Sequence, residues 1–189
     1  MRKLKLQVQI TVDGFIAGVN GEMDWMTFNW DDKLNEYVTK LTDSIDCILL
    51  GRTLAQGFIP YWEKVASDPS DPQYPFGKIM HDTPRVVFSK TLNDIEWHNT
   101  TLAKGELSLE INKLKNQNGK DIIVYGGGTF VSALIKEGLI DEFHLFVNPV
   151  ALGNGMSIFK NLDNKQNLHL IKAIAFPCGV VVLNYEQPH

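Results

Sequence analysis

Three short stretches of the chain combine residue types that suit the gripping of an anion. In IIVYGGGTFVSALI, at positions 122–135, an apolar run opens into three successive glycines and then into helix-period residues. Such glycines let backbone N–H groups and the start of the following helix approach a phosphate closely, and the helix dipole favours the negative charge. Gly126, Gly127, Gly128, Thr129 and Phe130 are therefore candidate ligand contacts. The same triplet also suits a tight turn that merely needs small residues. It departs from the GxGxxG fingerprint, because Val131 stands where the third glycine belongs, and no GxxxxGK[ST] is present.

The second stretch, ILLGRT, ends another apolar run in Gly51, Arg52 and Thr53. Arginine offers a charged fork matched to phosphate oxygens, and threonine can cap the next helix while donating to an oxygen. The third, RVVFSK, ends in Ser89 and Lys90, again a hydroxyl and a cation. Ligands of open α/β sheets gather outside the carboxyl ends of strands. Three such ends directed at one crevice suit a dinucleotide with several phosphates.

Other residue types fit a flat ring. Trp25, Phe28, Trp30 and Tyr37 are close in sequence and suit stacking, although most aromatic residues simply fill cores. Asp31 precedes a helix-period run, where an aspartate serves either as a cap or as an acid facing a bound ring. Residues 3–12 alternate Leu4, Leu6, Val8, Ile10 and Val12 with Lys5, Gln7, Gln9 and Thr11. The polar face of that strand, Gln9 included, either lines a substrate pocket or meets solvent.

Strand and helix signals alternate along the chain, the pattern of a mainly parallel α/β sheet. Strands are expected over 3–12, 46–50, 85–89, 100–103 and 121–125, and helices over 31–42, 106–116 and 129–137. Gly138 supplies the last of these with a stop. Positions 13–25, with Gly14, Gly18 and Gly21, read as a long loop. Five of the eight prolines fall within 60–84, so that segment reads as a surface excursion with one short helix at 76–81. Strands at 142–148, 168–176 and 180–185 follow one another without a long helix, which implies an antiparallel end to the sheet. The fold expected is a single three-layer α/β domain over residues 1–189.

Composition excludes several classes. With 18 basic and 22 acidic residues the net charge is −4, which argues against nucleic-acid binding driven by charge. No apolar run approaches the ~20 residues of a membrane span, and the N-terminal stretch does not read as a signal peptide. A cytoplasmic location is expected. Cys47 and Cys178 are far apart, the five histidines are scattered, and no zinc spacing occurs, so neither a disulfide framework nor a metal site is expected.

Taken together, TVDGFIAG, ILLGRT, VVFSKTL, IIVYGGGTFVSALIKEGLIDEFHL and NPVALGNGMSIF resemble the dihydrofolate reductase-like superfamily. They are most similar to the reductase domains of riboflavin biosynthesis, and the likeness spans residues 4–185. The resemblance implies NADPH as hydride donor, a small heterocyclic substrate and a homodimer. It places the Ile16 and Ala17 backbone at the nicotinamide carboxamide and Trp25 on the nicotinamide side of the loop. Gly51, Arg52 and Thr53 would hold phosphates, Ser89 and Lys90 the adenosine end, and Gly126, Gly127, Gly128, Thr129 and Phe130 the pyrophosphate.

On the substrate side the pattern changes. Riboflavin-pathway reductases carry a serine, an arginine and a glutamate where this chain has Met23, Thr42 and Tyr125, and no deaminase zinc motif is present. The expectation is thus an NADPH-dependent reductase of a pteridine-like or pyrimidine-like ring, with Asp31 as the acid and Gln9 and Tyr125 beside the substrate. The alternatives are the 5-amino-6-ribosylaminouracil phosphate reductase of riboflavin synthesis and a nucleotide-binding protein without turnover.

Overall fold

The computed structural model describes residues 1–188, which form one eight-stranded sheet in the order β4-β3-β2-β5-β1-β6-β8-β7. The strands are β1 (Leu4–Thr11), β2 (Ile45–Gly51), β3 (Arg85–Phe88), β4 (Thr100–Ala103), β5 (Asp121–Val124), β6 (Glu142–Asn148), β7 (His169–Ala175) and β8 (Val181–Glu186). β1 to β6 run parallel, and β8 is antiparallel to both of its neighbours, β6 and β7. The antiparallel end is as the sequence implies, because the link from β7 to β8 is a short turn with Gly179 at φ 92°.

Five helices cover the two faces. α1 (Asp32–Asp43), α2 (Arg52–Ser67) and α3 (Tyr74–Asp82) lie on one face, and α4 (Leu107–Lys115) and α5 (Gly128–Lys136) on the other. The alternation in β1 decides which residues meet which layer. Leu4, Leu6, Val8 and Ile10 join the core under α4 and α5, with Ile111, Val131, Leu134 and Ile135. Lys5, Gln7, Gln9 and Thr11 therefore point towards α1 and α2. That face is not solvated: Lys5, Gln7 and Thr11 are buried.

The proline-rich segment is more regular than expected. α2 continues through Pro60 to Ser67, and α3 begins with Pro75 in its first turn. Pro60 is exposed, so its ring projects outward, and the apolar residues Ala55, Ile59 and Val65 still hold the helix to the core. Packing overrides the local cost of the proline. Pro75 sits where a helix needs no N–H, and Pro69 and Pro72 fall in the intervening turn.

Candidate active site

β2 and β5 are parallel neighbours, so the helices that follow them start side by side at the carboxyl edge of the sheet. A Cβ at Gly127 would stand 3.8 Å from the Cα of Gly51. Gly51 caps α2 and Gly127 caps α5, and neither supplies a side-chain hydrogen bond or has an acidic residue in the first turn behind it. First-turn N–H groups have no partner within their own helix. Two adjacent helix starts thus present free donors and positive dipole ends to one space.

Glycine is required here for two separate reasons. Gly126 and Gly127 have φ of 145° and 87°, a backbone region that side chains disfavour. At Gly51 and Gly128 the obstacle is space, since a Cβ would come within 2.9 Å of the Phe130 Cβ and 3.0 Å of the Ile16 Cδ1, respectively. Phe130 also stacks on Phe88 at the end of β3, with centroids 4.9 Å apart. Ile16, Gly51, Phe88, Gly127, Gly128 and Phe130 are therefore one contiguous neighbourhood.

Arg52, Thr53 and Thr129 are exposed in the first turns of these helices, and Arg52 has no ion-pair partner among the described residues. Ser89 and Lys90 follow β3, one strand further out. The Ser89 Oγ accepts from the N–H groups of Thr91 and Leu92 at 3.1 and 3.0 Å, closing its own turn. Lys90 is exposed.

The loop after β1 is fastened over this edge. Asp13 accepts from the N–H groups of Leu152 and Gly153, and Asn148 Oδ1 accepts from the Thr27 N–H. Ile16 donates its N–H to Met156 O, and Met156 donates to Ala17 O. A Cβ at Gly155 would run into that Ala17 carbonyl, so this approach depends on glycine. The Ile16 carbonyl and the Ala17 N–H take no part in these bonds. Trp25 is half-buried, and its Nε1 donates to Glu22 O within the same loop.

On the α1 side, Asp31 is the N-cap of the helix. Its Oδ1 accepts from the Lys33 and Leu34 N–H groups and its Oδ2 from the Cys178 N–H. Burial pushes this carboxyl up, but the three backbone donors outweigh it and hold the group below its ordinary value. That is the cap use which the sequence also allows, and a carboxylate so held is a poor proton donor. Gln9 Oε1 accepts from Asn148 Nδ2, which links the centre of β1 to the residue that fastens the loop.

Deeper under α1 the sheet carries a polar group in which the sequence singles out Gln7, Thr42 and Tyr125 but not His144. Gln7 Oε1 is buried without a hydrogen-bond partner, the buried Tyr125 and Thr42 hydroxyls act on each other, and His144 Nε2 lies 3.5 Å from Glu142 Oε2. A buried polar atom left unpaired costs about 1–3 kcal/mol, which on this face falls on the Gln7 amide oxygen. Burial drives the Tyr125 phenol above its usual range, with Thr42 opposing the shift. On the other side of Gln7, the Tyr37 hydroxyl lies 2.7 Å from His144 Nδ1, and burial pushes that phenol up to about 12. The alternation in β1 and in the β6 sequence EFHLFVN hints at Gln7 and His144, but nothing local pairs Tyr37 with His144.

A sheet with this order, and with helix starts and a glycine-bound loop gathered at one carboxyl edge, defines the dihydrofolate reductase-like α/β class. Within that class the chain belongs to the RibD C-terminal domain family, which it matches over residues 2–182. It is 34% identical to the uncharacterized protein YyaP of Bacillus subtilis (strain 168), over 98% of this chain and 95% of that one. Among solved structures, a Shewanella sp. PV-4 protein described as a candidate for riboflavin biosynthesis is similar with a TM-score of 0.73. The identity is 23%, and both chains are covered completely. Dihydrofolate reductase from Enterococcus faecalis, complexed with NADP(H), gives a TM-score of 0.64 at 13% identity, covering 99% of this chain and 97% of that one. No helix among the described residues is long and apolar enough to cross a membrane.

Proposed function

We propose that the protein is an NADPH-dependent reductase acting on a small pteridine-like or pyrimidine-like heterocycle. The observation that carries this reading is the pair of glycine-started, uncapped helix N-termini at one sheet edge, with the unpaired Arg52 beside them. Their donors fit the phosphates of a dinucleotide: N–H groups behind Gly51 and Gly127, the Thr53 and Thr129 hydroxyls, and the Arg52 guanidinium. The free Ile16 carbonyl and Ala17 N–H match an amide such as the nicotinamide carboxamide. Trp25 closes the loop side, and Ser89 and Lys90 receive the adenosine end.

Bound NADPH supplies the hydride. The protein aligns the two rings and keeps water from between them. Gln9 and Tyr125, on the face towards α1, bound the space for the substrate ring beside the nicotinamide. Asp31 keeps α1 in place over that space.

Titration of the purified protein with NADPH and with NADH, followed by nicotinamide fluorescence, tests the reading. NADPH is expected to bind in the micromolar range. NADH is expected to bind at least about tenfold more weakly, since one charge-assisted hydrogen bond to the 2′-phosphate contributes about 1.5–3 kcal/mol. Failure of both to bind would reduce the glycine triplet to a turn.

A further inference from the structure

Three asparagines in the chain are followed directly by glycine, at Asn20 and Gly21, Asn118 and Gly119, and Asn154 and Gly155. Such a pair is chemically unstable in water. Glycine has no side chain to shield its amide nitrogen, and its backbone is free to turn that nitrogen onto the preceding side chain. The reaction requires both groups to be free, so hydrogen bonds decide which pair reacts.

The pairs differ in this respect. At Asn20 both groups are held: Nδ2 donates to Glu22 Oε1 at 2.7 Å, and the Gly21 N–H donates to Gly18 O at 3.1 Å. At Asn154 neither is held. Its side chain is exposed, and among the described residues neither that side chain nor the Gly155 N–H makes a hydrogen bond. Asn118 and Gly119 are free too, but they precede β5 at the amino edge of the sheet, away from the loop after β1.

Asn154 stands where the backbone has no spare length. On one side of it, the Leu152 and Gly153 N–H groups donate to Asp13 Oδ2 at 3.0 and 2.6 Å. On the other, Ile16 donates its N–H to Met156 O at 2.8 Å, and Met156 donates to Ala17 O at 2.9 Å. Gly155 lies between, against the Ala17 carbonyl. A longer main chain at this point acts on the bonds of Met156 directly.

We propose that Asn154 is a site of spontaneous covalent modification by water, and that the isoaspartate it yields releases Ile16 and Ala17. The Gly155 nitrogen gives its proton to hydroxide and attacks Asn154 Cγ. A bond forms between them, the Cγ–Nδ2 bond breaks, and Nδ2 leaves as ammonia with a proton taken from water. Water then opens the cyclic imide at one of its two carbonyls. Opening at Cγ gives aspartate with an ordinary backbone. Opening at the main-chain carbonyl gives isoaspartate, whose backbone runs through the side chain and is longer by a methylene. Nothing is oxidised or reduced. The added methylene shifts Met156 out of register with Ile16 and Ala17, so the fastening beside the candidate phosphate site has a lifetime set by Asn154. This inference stands on the chain's own chemistry and does not depend on the reductase reading.

The test uses the full chain carrying Asn118→Gln, which removes the other free pair at an exposed position. The protein is aged at mildly alkaline pH and mapped by peptide mass and by isoaspartate-specific methylation. Isoaspartate is expected at 154, formed at least about tenfold faster than at Asn20, where a charge-assisted hydrogen bond must first break. In the isoaspartate form, amide exchange at the Ile16 and Met156 N–H groups is expected to rise about tenfold or more. Asn154→Gln aged alike should keep the slow exchange of fresh protein. So should fresh Asn154→Asp, which supplies the charge without the methylene. An Asn154 that stays intact overturns the proposal, as does modification no faster than at Asn20, unchanged exchange in the isoaspartate form, or fast exchange in either variant.

Discussion

Two pairs of helices in this molecule begin in opposite ways. α1 and α4 start with carboxylate caps, Asp31 and Glu106, each accepting from two N–H groups of its first turn, and each has an acidic residue, Asp32 or Glu110, within that turn. α2 and α5 start with Gly51 and Gly127, with neither a side-chain cap nor an acid. A carboxylate cap satisfies orphan donors and the dipole internally, and so stabilises the helix by itself. A glycine start leaves both free for something outside the chain. The uncapped pair lies side by side on adjacent strands, and that placement turns two weak features into one candidate phosphate site.

The sharpest way to break the contrast is to give α2 the acid that α1 has. Thr53→Asp places a carboxylate in the first turn of α2 and is expected to steady the helix by about 0.3–1 kcal/mol. The same charge should repel a bound phosphate by several kcal/mol, a loss of more than about a hundredfold in NADPH affinity. Isothermal titration and a melting curve on the one variant read both effects, and unchanged NADPH affinity would remove α2 from the cofactor site. Next in size is Arg52→Ala, which should weaken NADPH by about 1.5–3 kcal/mol through loss of a charged hydrogen bond. NADH should weaken less if Arg52 meets the 2′-phosphate.

The smallest effect is on stability and concerns the capped pair. Asp31 and Glu106 are held below their ordinary values of 3.8 and 4.5; for Glu106 the Ser108 hydroxyl is the main cause. Carboxyls lowered in the folded state stabilise it above their unfolded values and lose that contribution as pH falls. Glu142, brought from 4.5 to about 2, acts in the same direction. The melting temperature should therefore drop steadily as pH falls from about 4.5 towards 2. Asp31→Ala should start lower and fall less steeply, with NADPH affinity unchanged at neutral pH. An equally steep fall in that variant would show that Asp31 does not set the acid limit.

Much of the candidate phosphate site is legible in the sequence, because its parts are local. A strand running straight into Gly126, Gly127 and Gly128, or into Gly51 and Arg52, is visible without any tertiary information, as is the loop with its glycines. Pro60 misleads for the matching reason: a local rule breaks the helix there, while Ala55, Ile59 and Val65 hold it through contacts distant in sequence. Asp31 is ambiguous in sequence, since a cap and an acid require the same residue type. The structure draws in Cys178, whose N–H completes the cap across 147 positions.

By itself, then, the sequence determined the alternation of strand and helix, the glycine, hydroxyl and cationic residues that follow three of the strands, and the absence of a carboxylate from two helix starts. These are matters of spacing and of intrinsic backbone preference. Tertiary structure alone decided that α2 and α5 begin beside each other, since that depends on β2 and β5 becoming neighbours. It also decided that the polar face of β1 is buried under α1, which brings Thr42 to Tyr125 and Tyr37 to His144. The order of strands in a sheet follows from burying the whole core at once, and no single segment of the chain carries that information.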